Sequence, residues 1–72
     1  MYVKANKVIN ESKVGSLFDL KFKYDDFSFD FELINCLLVE IKNNSAVFLV
    51  ERKFSTFQLK DIGITLYAKE KK

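Results

Sequence analysis

The sequence contains no histidine, no proline and no tryptophan, and it has one cysteine and two glycines. Without histidine, the chain lacks the side chain that most often acts as a general base near neutral pH and most often binds metals. One cysteine cannot form an internal disulfide, so neither a disulfide nor a zinc ion of the usual kind can stabilise a small domain here. We therefore expect no catalytic centre, no metal and no cofactor, and a fold that depends on its hydrophobic core.

Long apolar runs are also absent. No window approaches the roughly 20 apolar residues that a membrane span needs. The chain begins Met1, Tyr2, Val3, Lys4, without the basic and then apolar regions of a signal peptide. We expect a cytoplasmic protein.

Neither sign of charge is in large excess, because twelve basic residues are balanced by ten acidic ones, for a net charge of +2. Domains that bind nucleic acid usually carry a larger basic excess. Arg52 is the only arginine, so the planar fork that suits phosphates and guanine edges is almost missing. The abundance of lysine, asparagine, isoleucine and phenylalanine is typical of an AT-rich genome, such as that of a low-GC bacterium or of a phage or plasmid living in one.

One dense acidic cluster is present, formed by Asp25, Asp26, Asp30 and Glu32. A calcium or magnesium ion takes oxygen ligands of this kind. Asp30 and Glu32, however, fall on the outward phase of an alternating strand. We therefore expect them to face solvent and not to bind metal.

Apolar residues are plentiful, at 49% of the chain, with eight phenylalanines and three tyrosines. High hydrophobicity with low net charge excludes intrinsic disorder. A chain of this length forms at most one domain, because so small a fold buries only about 60% of the surface that its unfolded chain exposes. We expect a single small β domain that spans residues 1–72.

Period-two alternation is the clearest pattern, because successive side chains of a strand point to opposite faces. It places one set on the inner face (Phe18, Leu20, Phe22 and Tyr24) and another on the outer face (Asp19, Lys21 and Lys23). Asp25 and Asp26 then predict a turn, and the alternation resumes from Phe27 to Leu33. The two strands are predicted to form a hairpin.

The second of these strands continues unusually far. Apolar residues occupy both of its faces, with Leu37, Val39 and Ile41 on one and Ile34, Cys36 and Leu38 on the other. A stretch of about fifteen residues exceeds the usual strand length, so we predict a bulge, with Asn35 as its natural place. We expect this strand to be buried on both faces, which would put Leu37 in the core.

Turn residues divide the rest of the chain. Residues 42–45 predict a tight turn, followed by a strand at 46–50 and an exposed segment at 51–53. Phe54, Phe57 and Leu59 are expected to return to the core in a short strand, and residues 64–69 form a last strand before a solvated tail. For residues 2–13 we favour a strand over a short helix, and Gly15 marks the junction that follows.

This order of elements, ending in FSTFQLKDIGITLYAK (Phe54 to Lys69), is similar to the small SH3-like and Sm-like barrels. The resemblance depends most on Phe57, Leu59, Asp61 and Ile62, which look like the short strand and one-turn helix that precede the closing strand of such barrels. It implies an all-β fold with five or six strands in a barrel or a strongly bent sheet. The RNA-binding loop residues of the Sm families are not matched at Arg52 and Lys53, and architecture alone does not imply function.

Surplus apolar surface favours a protein-interaction module. Phe48, Phe54 and Phe57 lie close together in sequence beside Arg52 and Lys53, and we predict that these residues form a protein interface. The partner is expected to be a larger protein, or a second copy of the chain paired through an open strand edge. In a mobile element, such a protein would serve as a small regulator or inhibitor.

The alternative is a barrel that binds single-stranded nucleic acid, as Sm-like proteins do. Such sites combine lysines that follow the phosphate backbone with aromatic rings on which bases stack. The residues that fit this alternative are Lys21, Lys23, Lys42, Tyr24 and Tyr67. Alternation places the phenylalanines next to these lysines on the opposite face, which favours the protein-interaction hypothesis.

Overall fold

The computed structural model describes residues 1–24, 30–60 and 63–71, which contain one antiparallel sheet of six strands. The strands are β1 (Val3–Lys4), β2 (Leu17–Tyr24), β3 (Asp30–Lys42), β4 (Ser45–Val50), β5 (Lys53–Gln58) and β6 (Ile64–Lys71). Their order across the sheet is β1-β6-β2-β3-β4-β5. A short helix, α1 (Ala5–Val8), and a 3-10 turn (Ile9–Glu11) follow β1. The prediction of an all-β fold is confirmed. The short N-terminal helix, which we gave as the alternative to an N-terminal strand, is present.

The sheet is strongly bent. The bend is evident from the rings of Phe22 in β2 and Phe57 in β5, which lie 5.0 Å apart although two other strands separate β2 from β5 in the sheet. Within the described residues, β5 pairs with β4 alone and β1 with β6 alone, so the sheet does not close. The bent-sheet form of the prediction is confirmed, and the closed barrel is wrong. The physical reason is that β1 has two residues, too few to bridge the gap between β6 and β5.

The core fills the concave inner face of the sheet. Its fully buried members include Phe18, Leu20, Cys36, Leu38, Phe48 and Ala68, with Phe18 and Phe48 in an edge-to-face contact at 6.0 Å. Ala5 and Ile9 are also fully buried and belong to the same cluster. They are four residues apart, which places them on one side of a helical segment. Burial of this pair explains why most of the N-terminal segment is helical, against the strand that we favoured.

A bulge interrupts β3 at the predicted position. Asn35 has a φ of 56°, and the register with β2 shifts between Phe18 and Leu20. The extra residue changes the phase, so that Leu38 is fully buried while Leu37 is half-buried and Ile34 is 63% exposed. The expectation that this strand is buried on both faces, with Leu37 in the core, is therefore wrong.

The bulge is held by Asp19, which we expected on the exposed face but which is buried. The Asn35 backbone N–H donates to Asp19 Oδ1 at 3.1 Å, and Lys71 Nζ lies 3.4 Å from the same oxygen. Lys71 also donates to the Asn35 side-chain oxygen at 2.7 Å. Lys71 therefore belongs to β6 and to this cluster. The sequence predicts a solvated tail at residues 70–72; Glu70 and Lys71 are exposed as expected, but they are paired in β6, and Lys72 lies outside the described residues.

Two tight turns flank β4. Asn44 has a φ of 60°, as expected for an asparagine turn, which confirms the predicted turn at residues 42–45. Glu51 and Arg52 have φ values of 50° and 68°, the combination that a type I′ hairpin turn requires. Our expectations for Asp25, Asp26, Phe27 and Phe29, and for the one-turn helix at Asp61 and Ile62, lie outside the described residues.

Neither helical segment in the described part of the chain has the length and apolar character needed to cross a membrane.

Candidate protein-binding groove

An apolar groove of about 390 Å³ lies between β5 and the inner face of β6 and β2. It is lined by Phe22, Thr56, Phe57, Gln58, Lys60, Ile64 and Leu66. Its volume falls within the range of about 300 to 1,000 Å³ that is usual for binding pockets. We call this feature the β5 groove.

The β5 groove lies between two strand edges that have no partner in the described residues. On one side is β5, which pairs with β4 alone in this part of the structure. On the other side is the start of β6, because β1 pairs with Tyr67 and Ala68 and leaves residues 64–66 beyond its end. Backbone N–H and C=O groups at such edges bind water or another chain. The groove therefore combines apolar side chains with unused backbone hydrogen-bonding groups.

Aromatic packing joins the wall of the β5 groove to the core. The Phe22 ring contacts Phe57 at 5.0 Å and Phe31 at 5.9 Å between ring centroids, and Phe57 in turn contacts buried Phe48 at 5.9 Å. Phe57 is half-buried, and Phe31 is 49% exposed at the end of this series. The groove is thus an extension of the core that remains open to solvent.

The predicted interface residues divide among three places. Phe57 lines the β5 groove, while Arg52 and Lys53 are exposed where the turn leads into β5. Phe54 is 73% exposed on the outer face of the same strand, so the expectation that it returns to the core is wrong. Phe48 is fully buried against Phe18, so its side chain does not contribute to the surface. Alternation along β4 and β5 separates these rings, since Phe48 and Phe54 point to opposite faces.

Phe54 ends a row of apolar residues on the outer face that the sequence analysis missed. Cross-strand partners connect Leu17 to Leu37, Leu37 to Leu49, and Leu49 to Phe54. Leu17 is 36% exposed, and Leu37 and Leu49 are half-buried. We call these four residues the outer apolar row. Its members are far apart in sequence, and only the strand register brings them together.

Three of the predicted nucleic-acid residues meet on the outer face of β2 and β6. Lys21, Lys23 and Tyr67 line a shallow pocket of about 230 Å³ together with Tyr2 and Asp30. We call this feature the tyrosine pocket.

The other two predicted nucleic-acid residues lie elsewhere. Lys42 is exposed beside the β3–β4 turn. Tyr24 pairs with Ile64, and two-residue alternation puts it on the opposite face from Lys21 and Lys23. The structure therefore does not unite the predicted set.

Charge in the tyrosine pocket is largely compensated. Lys21 Nζ lies 3.7 Å from Glu32 and 4.0 Å from Asp30, and it stacks 4.9 Å from the centre of the Tyr2 ring. Lys69 Nζ lies 5.3 Å from the same ring. Desolvation, followed by the negative charges of Glu32 and Asp19, raises the pKa of Tyr2, so its phenol stays protonated. Lys21 is therefore already engaged with carboxylates, which weakens its attraction for phosphate.

Nucleophilic chemistry has little support in the described residues. Cys36 is fully buried, and desolvation together with the charge of Asp19 raises the pKa of its thiol to about 11. A thiol in that state is a poor nucleophile. Within residues 1–24, 30–60 and 63–71, no three Asp, Glu or Cys side chains are grouped so that they could hold a metal ion. Asp25 and Asp26 of the acidic cluster lie outside these ranges.

Comparison with known protein families, with curated proteins and with solved structures finds no match to this chain.

Proposed function

We propose that the protein is a non-catalytic interaction module that binds a larger protein through β5 and the β5 groove. In this proposal it acts in the cytoplasm as a small regulator or inhibitor of that partner. The observation that carries the proposal is the position of an apolar groove directly beside a strand edge that has no partner among the described residues. A strand from a partner would gain backbone hydrogen bonds from the edge and side-chain burial from the groove, which is how β-augmentation works.

The edge of β5 has few of the features that usually prevent strand pairing. Natural edge strands are protected by proline, bulges, charged side chains (lysine above all) or very short length. β5 has six residues in unbroken register with β4, and Lys53 at its first position is its one charged residue. Such an edge is a competent template for a second chain.

Apolar surface is available on both faces of β5. Phe57 faces the groove, and exposed Phe54 continues the outer apolar row on the opposite side. Since side chains of an added strand alternate between the two faces, both surfaces would be covered by one partner segment. Burying a phenylalanine side chain contributes about 1.5 to 3 kcal/mol, which corresponds to roughly ten- to a hundredfold in affinity.

Selection from a library of linear peptides displayed on phage tests this proposal. Peptides selected against the purified protein are expected to bind Phe54→Ser at least about tenfold more weakly, because that variant removes an exposed ring from β5. Val14→Ser is the matched control, since Val14 is 60% exposed but lies outside the strands. Selected peptides should also slow hydrogen exchange of the β5 backbone amides. Peptides that bind both variants equally, or that leave β5 exchange unchanged, would refute the proposal.

A second candidate function is the binding of single-stranded nucleic acid at the tyrosine pocket. Two tyrosines and two lysines line that pocket, and this is the combination that base stacking and phosphate contact require. Fluorescence anisotropy with labelled oligouridine and oligothymidine over a range of salt concentrations tests it, because phosphate contacts give a steep logarithmic loss of affinity with salt. We expect no binding at physiological salt. Micromolar binding that Lys23→Ala weakens would favour this candidate over the first.

A further inference from the structure

Within the described residues, the charge around β5 is mainly positive. Arg52 and Lys53 lie exposed at one end of β5, and Lys60 lines the groove at the other end. None of these three cations has an ion-pair partner within the described residues. Glu51, in the turn, is the one carboxylate within residues 51–60, and Asp61 lies outside the described ranges. An occupant of this edge therefore meets positive charge at both ends and apolar surface between them.

A partner segment of complementary charge fits this distribution better than a second copy of the chain. A twofold antiparallel pairing of β5 with β5 would place Lys60 opposite Glu51, but it would leave Arg52 and Lys53 opposite the uncharged Leu59 and Gln58. A segment with acidic residues at its ends would neutralise Arg52, Lys53 and Lys60. Electrostatic complementarity of this kind selects among partners more than it adds to affinity.

The two faces of β5 determine the middle of the segment. One side chain of an added strand enters the β5 groove between Phe57 and Ile64, and its neighbours on the chain lie beside Phe54 on the outer face. On the basis of the proposed function, we propose that the partner segment is an extended acidic peptide with consecutive large apolar residues at its centre, paired by backbone hydrogen bonds with β5.

The probe is the end-blocked, fluorescein-labelled peptide Asp-Glu-Ile-Phe-Val-Glu-Asp, measured by anisotropy against the full chain. A matched peptide replaces each acidic residue with lysine. We expect the acidic peptide to bind at least about tenfold more tightly at low salt, with a difference that shrinks as salt screens the charges. The double variant Lys53→Glu with Lys60→Glu should reverse this preference. Lys13→Glu, at an exposed position outside β5, is the charge control and should not reverse it.

Backbone pairing is tested by methylating the peptide amides. Alternate N–H groups of an added strand point toward β5, so N-methylation at one set of alternate positions should abolish binding and at the other set should leave it intact. Equal loss or equal retention for the two sets would overturn strand pairing. Displacement of the peptide by oligouridine at similar concentrations would assign the positive charge to nucleic acid and overturn the proposal.

The remaining outcomes separate this inference from the proposed function. If the acidic and lysine peptides bind equally well and Phe54→Ser weakens both, the charge inference is wrong and β5 remains the interaction site. If neither peptide binds and phage selection yields only peptides insensitive to Phe54→Ser, the proposed function fails and this inference fails with it.

Discussion

Two adjacent leucines of β3 provide a direct test of the bulge at Asn35. The bulge changes the face occupied by the residues that follow it, up to a second register shift between Leu38 and Glu40. As a result, Leu38 is fully buried and Leu37 is half-buried on the outer face. We predict that Leu38→Ala is severely destabilising and that Leu37→Ala is mild. The comparison is well matched because both substitutions remove the same atoms from neighbouring positions.

The magnitudes follow from burial. Truncating a fully buried leucine costs about 2 to 5 kcal/mol, since the change loses transfer free energy and leaves a cavity. At roughly 0.05 to 0.15 kcal/mol per residue, the whole fold has a free energy of unfolding of about 4 to 11 kcal/mol. Leu38→Ala should therefore remove a large share of the stability or unfold the protein. Leu37→Ala opens no enclosed cavity and should cost about 1 kcal/mol.

Urea unfolding followed by far-ultraviolet circular dichroism measures both free energies, and this probe suits a chain without tryptophan. In thermal scans, each kcal/mol should lower Tm by about 4 to 8 °C for a domain of this size. A cost for Leu37→Ala equal to or greater than that for Leu38→Ala would show that the assigned phase after Asn35 is wrong. Equal m-values for the two variants and the parent chain are needed for the comparison to hold.

Three further predictions concern other parts of the fold. Asp19→Ala should lower the free energy of unfolding in urea by about 1 to 3 kcal/mol, because the Asn35 N–H loses its acceptor. This loss should exceed that of Lys71→Ala, and the reverse order would contradict the observed geometry. Burial raises the pKa of Cys36 from 9.0 to about 11, so the thiol should resist Ellman's reagent in the folded protein, and fast labelling at about pH 8 would refute this prediction. For the same reason, the contribution of the protonated thiol to the free energy of unfolding should be lost as the pH rises from about 9 to about 11. Phe54→Ser should change the free energy of unfolding by no more than about 0.5 kcal/mol, since the side chain is 73% exposed, and a larger loss in urea unfolding would place the ring in the core.

The parts of the fold that the sequence predicts are those set by local chemistry. Alternation in β2 predicts the inner positions of Phe18 and Leu20, because every second side chain must share a face. Asparagine tolerates positive φ, which predicts the turn at Asn44. The bulge at Asn35 is predicted because the strand is too long and Asn35 is a polar residue within it. These features depend on a few consecutive residues, so they could be assigned without knowledge of strand order.

Features that depend on distant parts of the chain could not be predicted. Asp19 is buried because Lys71, far along the sequence, pairs with it beside the bulge. The three phenylalanines Phe48, Phe54 and Phe57 look alike in sequence, but strand register places one in the core, one on the outer face and one in the groove. Of the predicted interface residues, Phe57 alone lines the β5 groove, and the bent sheet is what brings Phe22 and Ile64 to it.

The β5 groove follows from how the N-terminal segment is used. Closing the barrel would need a full strand between β6 and β5, but the chain leaves β1 after Lys4 and forms α1, which buries Ala5 and Ile9 in the core. In a chain this small, covering one end of the core in this way leaves no N-terminal strand for the other end. Apolar Ile64 and Phe57 then lie beside strand edges that have no partner in the part of the chain that the structure describes. The same segment thus completes the core and leaves β5 at the edge of the sheet, where the proposed interaction would take place.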